Sequence, residues 1–101
     1  MKEEIRRWRD QIDDLDLRIR DLLNERSRCA LAIGAVKKRA NQPVYDPGRE
    51  AEIVGRVLEG NGGPLPDEAL RRLFERILDE SRRLERTSST PTNSDDAEEK
   101  G

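Results

Sequence analysis

A chain of 101 residues has room for one small domain, and with 42 % charged and 3 % aromatic residues it cannot bury a large core by itself. Its formal net charge of −2 does not favour non-specific nucleic-acid binding, and no Lys/Arg run is interleaved with the aromatics that single-strand binders use. Charge begins at the second residue, so neither a signal peptide nor a membrane span is expected, and a cytoplasmic protein is the natural reading. The single Cys, Cys29, permits no internal disulfide. With no His in the chain to activate it, Cys29 reads as a small core thiol and not as a nucleophile.

Residues 3–39 read as one long helix. Apolar residues recur at heptad spacing through Ile5, Trp8, Ile12, Leu15, Ile19, Leu22, Cys29, Ile33 and Val36, without an interrupting Pro. A helix with so long a stripe and so little else to cover it predicts helical partners and an oligomer. One slot in the stripe breaks the pattern, because it holds Arg26. A guanidinium facing a helical core needs an anion or a hydrogen-bond network to meet it. The plainer alternative is that Arg26 lays its stem along the seam and keeps its head in water. Lys37, eleven residues on, returns to within about 20° of Arg26 and lies about 16 Å further along. The two cations therefore point the same way, with room between them for a small anion. Arg9 faces elsewhere, about 100° round and about 25 Å away. An antiparallel crossing of two copies near residue 21 brings Arg9 of the copy level with Ile33, between Arg26 and Lys37. Such a crossing makes two equivalent sites, each built from both chains.

The segment Ala40-Asn41-Gln42-Pro43 turns the chain, and Val44 and Tyr45 are expected to be extended. Asp46-Pro47 is an N-cap followed by Pro at the first helical position, which predicts a second helix over about 46–59. Glu50 suits its positive end, whereas Arg49 does not. Gly60 to Pro64 form a break. Pro66-Asp67-Glu68 then opens a third helix over about 66–86, with a stripe of Leu70, Leu73, Phe74, Ile77, Leu78 and Leu84. Ser81 and Glu85 fall on the same side. Ser81 could merely ease a close helix approach, and Glu85 could be a solvated acid. From Thr87 to Gly101 the chain is Ser, Thr, Pro, Asn and acid. That stretch is expected to be disordered, which leaves 1–86 as the folded domain.

The polar residues that look misplaced form a set: Arg26, Lys37, Arg49, Ser81 and Glu85, with Asp46 and Glu50 beside Arg49 and Arg9 supplied by a partner. No motif has metal-ligand spacing, no Gly-rich phosphate loop occurs, and no cofactor is called for. A cation-rich centre edged by carboxylates suits a small polyanion. Any catalysis there works by positioning and charge.

These stretches resemble the all-helical chorismate mutases. The matching residues are Trp8 to Asp13, Leu22 to Arg26, Ile33-Gly34-Ala35-Val36-Lys37, Pro43 to Glu50, and Ile77 to Ser81. No single motif decides it; the ordered combination over roughly residues 5–86 is what is specific. The resemblance implies an all-α, intertwined two-fold dimer of three-helix chains with two shared active sites. It also implies the Claisen-type rearrangement of chorismate to prephenate, a step toward Phe and Tyr. By position, Arg26 and the partner's Arg9 would hold the substrate carboxylates, and Lys37 would face the ether oxygen and a carboxylate. Glu50 and the backbone at Asp46 would receive the ring hydroxyl, and Arg49 and Ser81 would complete the anion pocket. Glu85 stands where many relatives have Gln. Only a protonated Glu can donate to the ether oxygen as Gln does. An isochorismate–pyruvate lyase of the same fold is the nearest alternative activity, and a non-catalytic helical dimerisation module is the alternative of a different kind.

Overall fold

A computed structural model describes residues 1–89 as three helices, α1 (Lys2–Arg39), α2 (Pro47–Leu58) and α3 (Asp67–Ser89), with no strand among the described residues. The all-α expectation and the three helix positions hold. The third helix runs three residues past the boundary at 86; the remainder of the expected disordered tail, 90–101, lies outside the described residues. No helix of the described residues is long and apolar enough to cross a membrane.

Each helix end has a local cause. Glu3 and Glu4 open α1, and Lys37, Lys38 and Arg39 close it, so both ends match the helix dipole. Its C-terminus is a Schellman turn. Gln42 N–H donates to the Lys37 carbonyl (2.8 Å) and Asn41 N–H to that of Lys38 (3.2 Å), with Asn41 in the left-handed region at φ 58°. At α2 the Asp46 carboxylate accepts from Arg49 N–H (3.1 Å), and Pro47 takes the first helical position as predicted. Before α3, Asn61 ties the loop down through Nδ2 to the Leu65 carbonyl (3.0 Å) and to the Asp67 carboxylate (2.7 Å).

The helices form a row with α3 in the middle, packed on α1 on one side and on α2 on the other. The arrangement is flat, 56 × 36 × 14 Å, and buries little. Its centre is Leu78 of α3 and Ala30 of α1, each 5 % exposed, together with Gly34. Here the heptad reading needs correction. The face of α1 that meets α3 carries Arg26, Ala30, Gly34 and Lys37, whereas Cys29, Ile33 and Val36 stay exposed in the single chain. Two small residues one turn apart let the helix backbones approach, and a close approach matters more here than the apolar count. Leu73, placed in the α3 stripe, is likewise exposed.

Among the described residues, nothing covers the apolar face of the N-terminal half of α1. Ile5, Trp8, Ile12, Leu15, Ile19 and Leu22 are all between 46 and 61 % exposed. A contiguous apolar face of that length on a charged chain marks an interaction surface.

Because Leu78 is the most enclosed large side chain, truncating it removes the centre of the α1–α3 contact. Leu78→Ala should lower stability by about 2–5 kcal/mol. Urea denaturation checks this, and a loss below about 1 kcal/mol would show that the contact is not the core.

Candidate active site

A cavity of about 370 Å³ lies where α1, α3 and the start of α2 meet, within the size range of small-molecule sites. Seven of the eight expected site residues line it: Arg26, Lys37, Asp46, Arg49, Glu50, Ser81 and Glu85. The eighth, Arg9, lies apart, beside Lys2, Ile5 and Arg6 near the start of α1. The wall also carries Cys29, Ala30, Ile33, Ile53 and Leu78. Cys29 is therefore neither a core thiol of this chain nor remote from the site.

The α1–α3 packing brings two polar pairs together. Arg26 Nη1 donates to Ser81 Oγ at 2.5 Å, so Ser81 is a hydrogen-bond partner and not only a small spacer. Lys37 Nζ donates to Glu85 Oε1 at 3.2 Å and to the Val44 carbonyl at 2.9 Å. The Lys37 and Glu85 side chains are only 17 and 13 % exposed, so Glu85 is not a solvated surface acid. An ammonium has three donors and two are engaged; the third is left for a ligand.

Arg82 escaped the sequence reading. Its Nη1 donates to Glu50 Oε2 at 2.5 Å and its Nη2 to Asp79 Oδ1. Its guanidinium carbon lies 5.5 Å from the centre of the Tyr45 ring, within cation–π range. The hydrogen bond to Glu50 is the largest influence on Arg82. With the Glu50 and Asp79 charges it outweighs burial and holds the guanidinium above its usual range. The sign follows directly. A raised folded-state pKa adds stability that is lost only as pH climbs through it, so Arg82 is charged throughout the working range. A signal for Arg82 was present: it follows Leu78 by one helical turn and Ser81 by one residue. The Val44 carbonyl had no such signal, because a backbone acceptor leaves no mark in residue type.

Among the described residues, the cavity wall holds four cationic side chains, Arg26, Lys37, Arg49 and Arg82, against three carboxylates, Asp46, Glu50 and Glu85. Every carboxylate is engaged: Asp46 by Arg49 N–H, Glu50 by Arg82 and Glu85 by Lys37. Arg49 directs its guanidinium to Glu52 at 2.6 Å. Arg26 alone of the four has only a neutral partner among the described residues, the Ser81 hydroxyl. A half-buried guanidinium with most of its donors unused among the described residues suits an anion.

Residues 8–86 match the family model described as chorismate mutase type II. The chain belongs to the chorismate mutase type II family. It is 40 % identical over 88 residues to a bifunctional chorismate mutase/prephenate dehydratase of Aquifex aeolicus, covering 83 % of this chain and 24 % of that protein. A bifunctional chorismate mutase/prephenate dehydratase of Neisseria gonorrhoeae is 44 % identical over 78 residues, 77 % of this chain and 21 % of its own. The chain thus spans about a quarter of the length of these curated relatives. The solved chorismate mutase (form II) of Thermus thermophilus superposes with a TM-score of 0.80 at 37 % identity, over 82 % of this chain and 94 % of that one. The type II mutase fold of this chain is therefore shared across nearly the whole of a solved mutase chain.

Proposed function

We propose that this chain rearranges chorismate to prephenate in the cavity, in a homodimer that completes each site with the partner's Arg9. The observation that carries the reading is Arg26. It is held by Ser81, lacks a carboxylate partner among the described residues, and faces the same cavity as Lys37. The substrate is a dianion with an enolpyruvyl ether. In the transition state the ether C–O bond breaks while a C–C bond forms, and negative charge grows on the ether oxygen. No proton need leave carbon and no covalent intermediate is required. Two carboxylates to clamp and one oxygen to stabilise are work for fixed cations and donors.

The roles follow from which donors remain. Arg26 grips one carboxylate with the guanidinium donors that Ser81 leaves open. The third Lys37 donor serves the ether oxygen together with a carboxylate. Glu50 and the backbone at Asp46 receive the ring hydroxyl, and Arg49 and Ser81 close the anion pocket. Lys37 occupies Oε1 of Glu85, which leaves Oε2 as the oxygen open to the substrate.

Two observations support the dimer. The apolar face from Ile5 to Leu22 is open. Arg9 sits about 25 Å along the helix from Arg26, beyond reach of one small ligand. An antiparallel crossing of two α1 helices covers the first and cures the second.

With chorismate as substrate, purified protein should consume it and yield prephenate without free pyruvate. Lys37→Ala should lower turnover on the order of a hundredfold or more, because it removes a charge-assisted contact that strengthens in the transition state. A folded Lys37→Ala protein with near-normal turnover would mean that the site is misassigned; release of pyruvate from isochorismate offered in parallel would favour the lyase. A mixture of Arg9→Ala and Arg26→Ala chains should regain activity, since each heterodimer contains one intact site. Confirmed chain exchange without recovery would refute sharing. Glu85→Gln, which can donate to the ether oxygen where a carboxylate only accepts, should keep or raise turnover. A loss on the order of a hundredfold in folded Glu85→Gln would remove that donor role from the account.

A further inference from the structure

Among the described residues, Arg82 is the only charged one on the cavity wall without a role in the proposed reaction. It is also the most connected one. From α3 it reaches Glu50 in the first turn of α2, Asp79 on its own helix, and the face of Tyr45 in the loop that leads into α2. The Arg82 and Glu50 side chains are both largely enclosed. Arg82, Glu50 and Leu78 also line a second, more open groove between α2 and α3, so the three form the partition between groove and cavity.

We propose that Arg82 is a positioning residue for the mutase reaction. It holds the Glu50 carboxylate in the orientation that accepts the substrate's ring hydroxyl. The inference rests on the reading of Glu50 as the hydroxyl acceptor. Glu is a flexible side chain with rotamer freedom to lose, and near the N-terminus of α2 no other side chain among the described residues holds its carboxylate. The Arg82 guanidinium takes Oε2 and leaves Oε1 for the substrate. Its planar fork spans two carboxylates at once, and its place over the Tyr45 ring adds a cation–π contact. The same contact engages the residue next to Asp46, whose backbone is the second hydroxyl partner in the proposed reaction. Arg82 acts through these groups and need not touch the substrate.

The test is a double-mutant cycle read with two substrates. Arg82→Met keeps the bulk of the side chain and removes the fork. With chorismate, its kcat/KM should fall about tenfold to a hundredfold, the scale of a misplaced contact group. With a chorismate analogue whose ring hydroxyl is replaced by hydrogen, wild type and Arg82→Met should have nearly equal kcat/KM. In a Glu50→Gln background the second change should cost little more. Arg82→Lys should recover part of the rate, since it keeps the charge and loses the fork, and it replaces Arg82→Met in the cycle if that variant does not fold.

An Arg82 that serves stability alone would show the same penalty with both substrates and in both backgrounds, and that result overturns the proposal. A penalty in Glu50→Gln with none in folded Arg82→Met also overturns it, while leaving the assignment of Glu50 intact. An unchanged kcat/KM in Glu50→Gln removes the assignment itself, and the role of Arg82 with it.

Discussion

The packing of α3 across the C-terminal half of α1 is the contact on which the remaining features depend. Ala30 and Gly34 present almost no side chain, so Leu78 can seat against the α1 backbone. Once the helices are that close, the side chains flanking the contact have little freedom in what they meet. Arg26 finds Ser81, and Lys37 finds Glu85. These long cations cross the interface at its edges, where their stems pack and their heads converge on one cavity. The small apolar centre therefore places the polar groups as well as holding the helices together.

Charge in the cavity is distributed by a simple rule. Each carboxylate has a donor already, from Arg49 N–H, Arg82 or Lys37, and the Arg49 guanidinium is taken by Glu52. The leftover capacity is cationic and sits at Arg26 and on one Lys37 donor. A site of this kind is preorganised: its dipoles and charges are set by contacts within the protein before a ligand arrives. That is the condition under which electrostatic stabilisation lowers a barrier without reorganisation. The Glu50–Arg82–Tyr45 cluster extends the same principle to a carboxylate, which is held still by a cation and a ring.

The flat chain is incomplete as a domain in a physical sense. Among the described residues, half of its longest helix shows an uncovered apolar face. Under the proposed function, catalytic need and folding need coincide there, because the surface that lacks cover also carries Arg9. In the proposed homodimer a second copy supplies both from one crossing, so the free energy of burying the seam would also assemble the site.

The sequence alone determined the helices and their ends. Heptad spacing, Asp46-Pro47 and the Gly60–Pro64 break are local signals, and the helices begin and end within three residues of where those signals place them. It also marked seven side chains that now line one cavity, because an Arg in an apolar stripe and cations eleven residues apart are visible as pattern. Tertiary structure decided which face of α1 meets α3. Periodicity weighs apolar bulk, whereas helix approach depends on small residues, so Ala30 and Gly34 prevailed over Cys29, Ile33 and Val36. It also decided the partners: Ser81 for Arg26, the Val44 carbonyl for Lys37 and Arg82 for Glu50 lie 55, 7 and 32 residues away in the chain. No local spacing encodes a contact between separate elements, and only the crossing of the helices makes those groups neighbours.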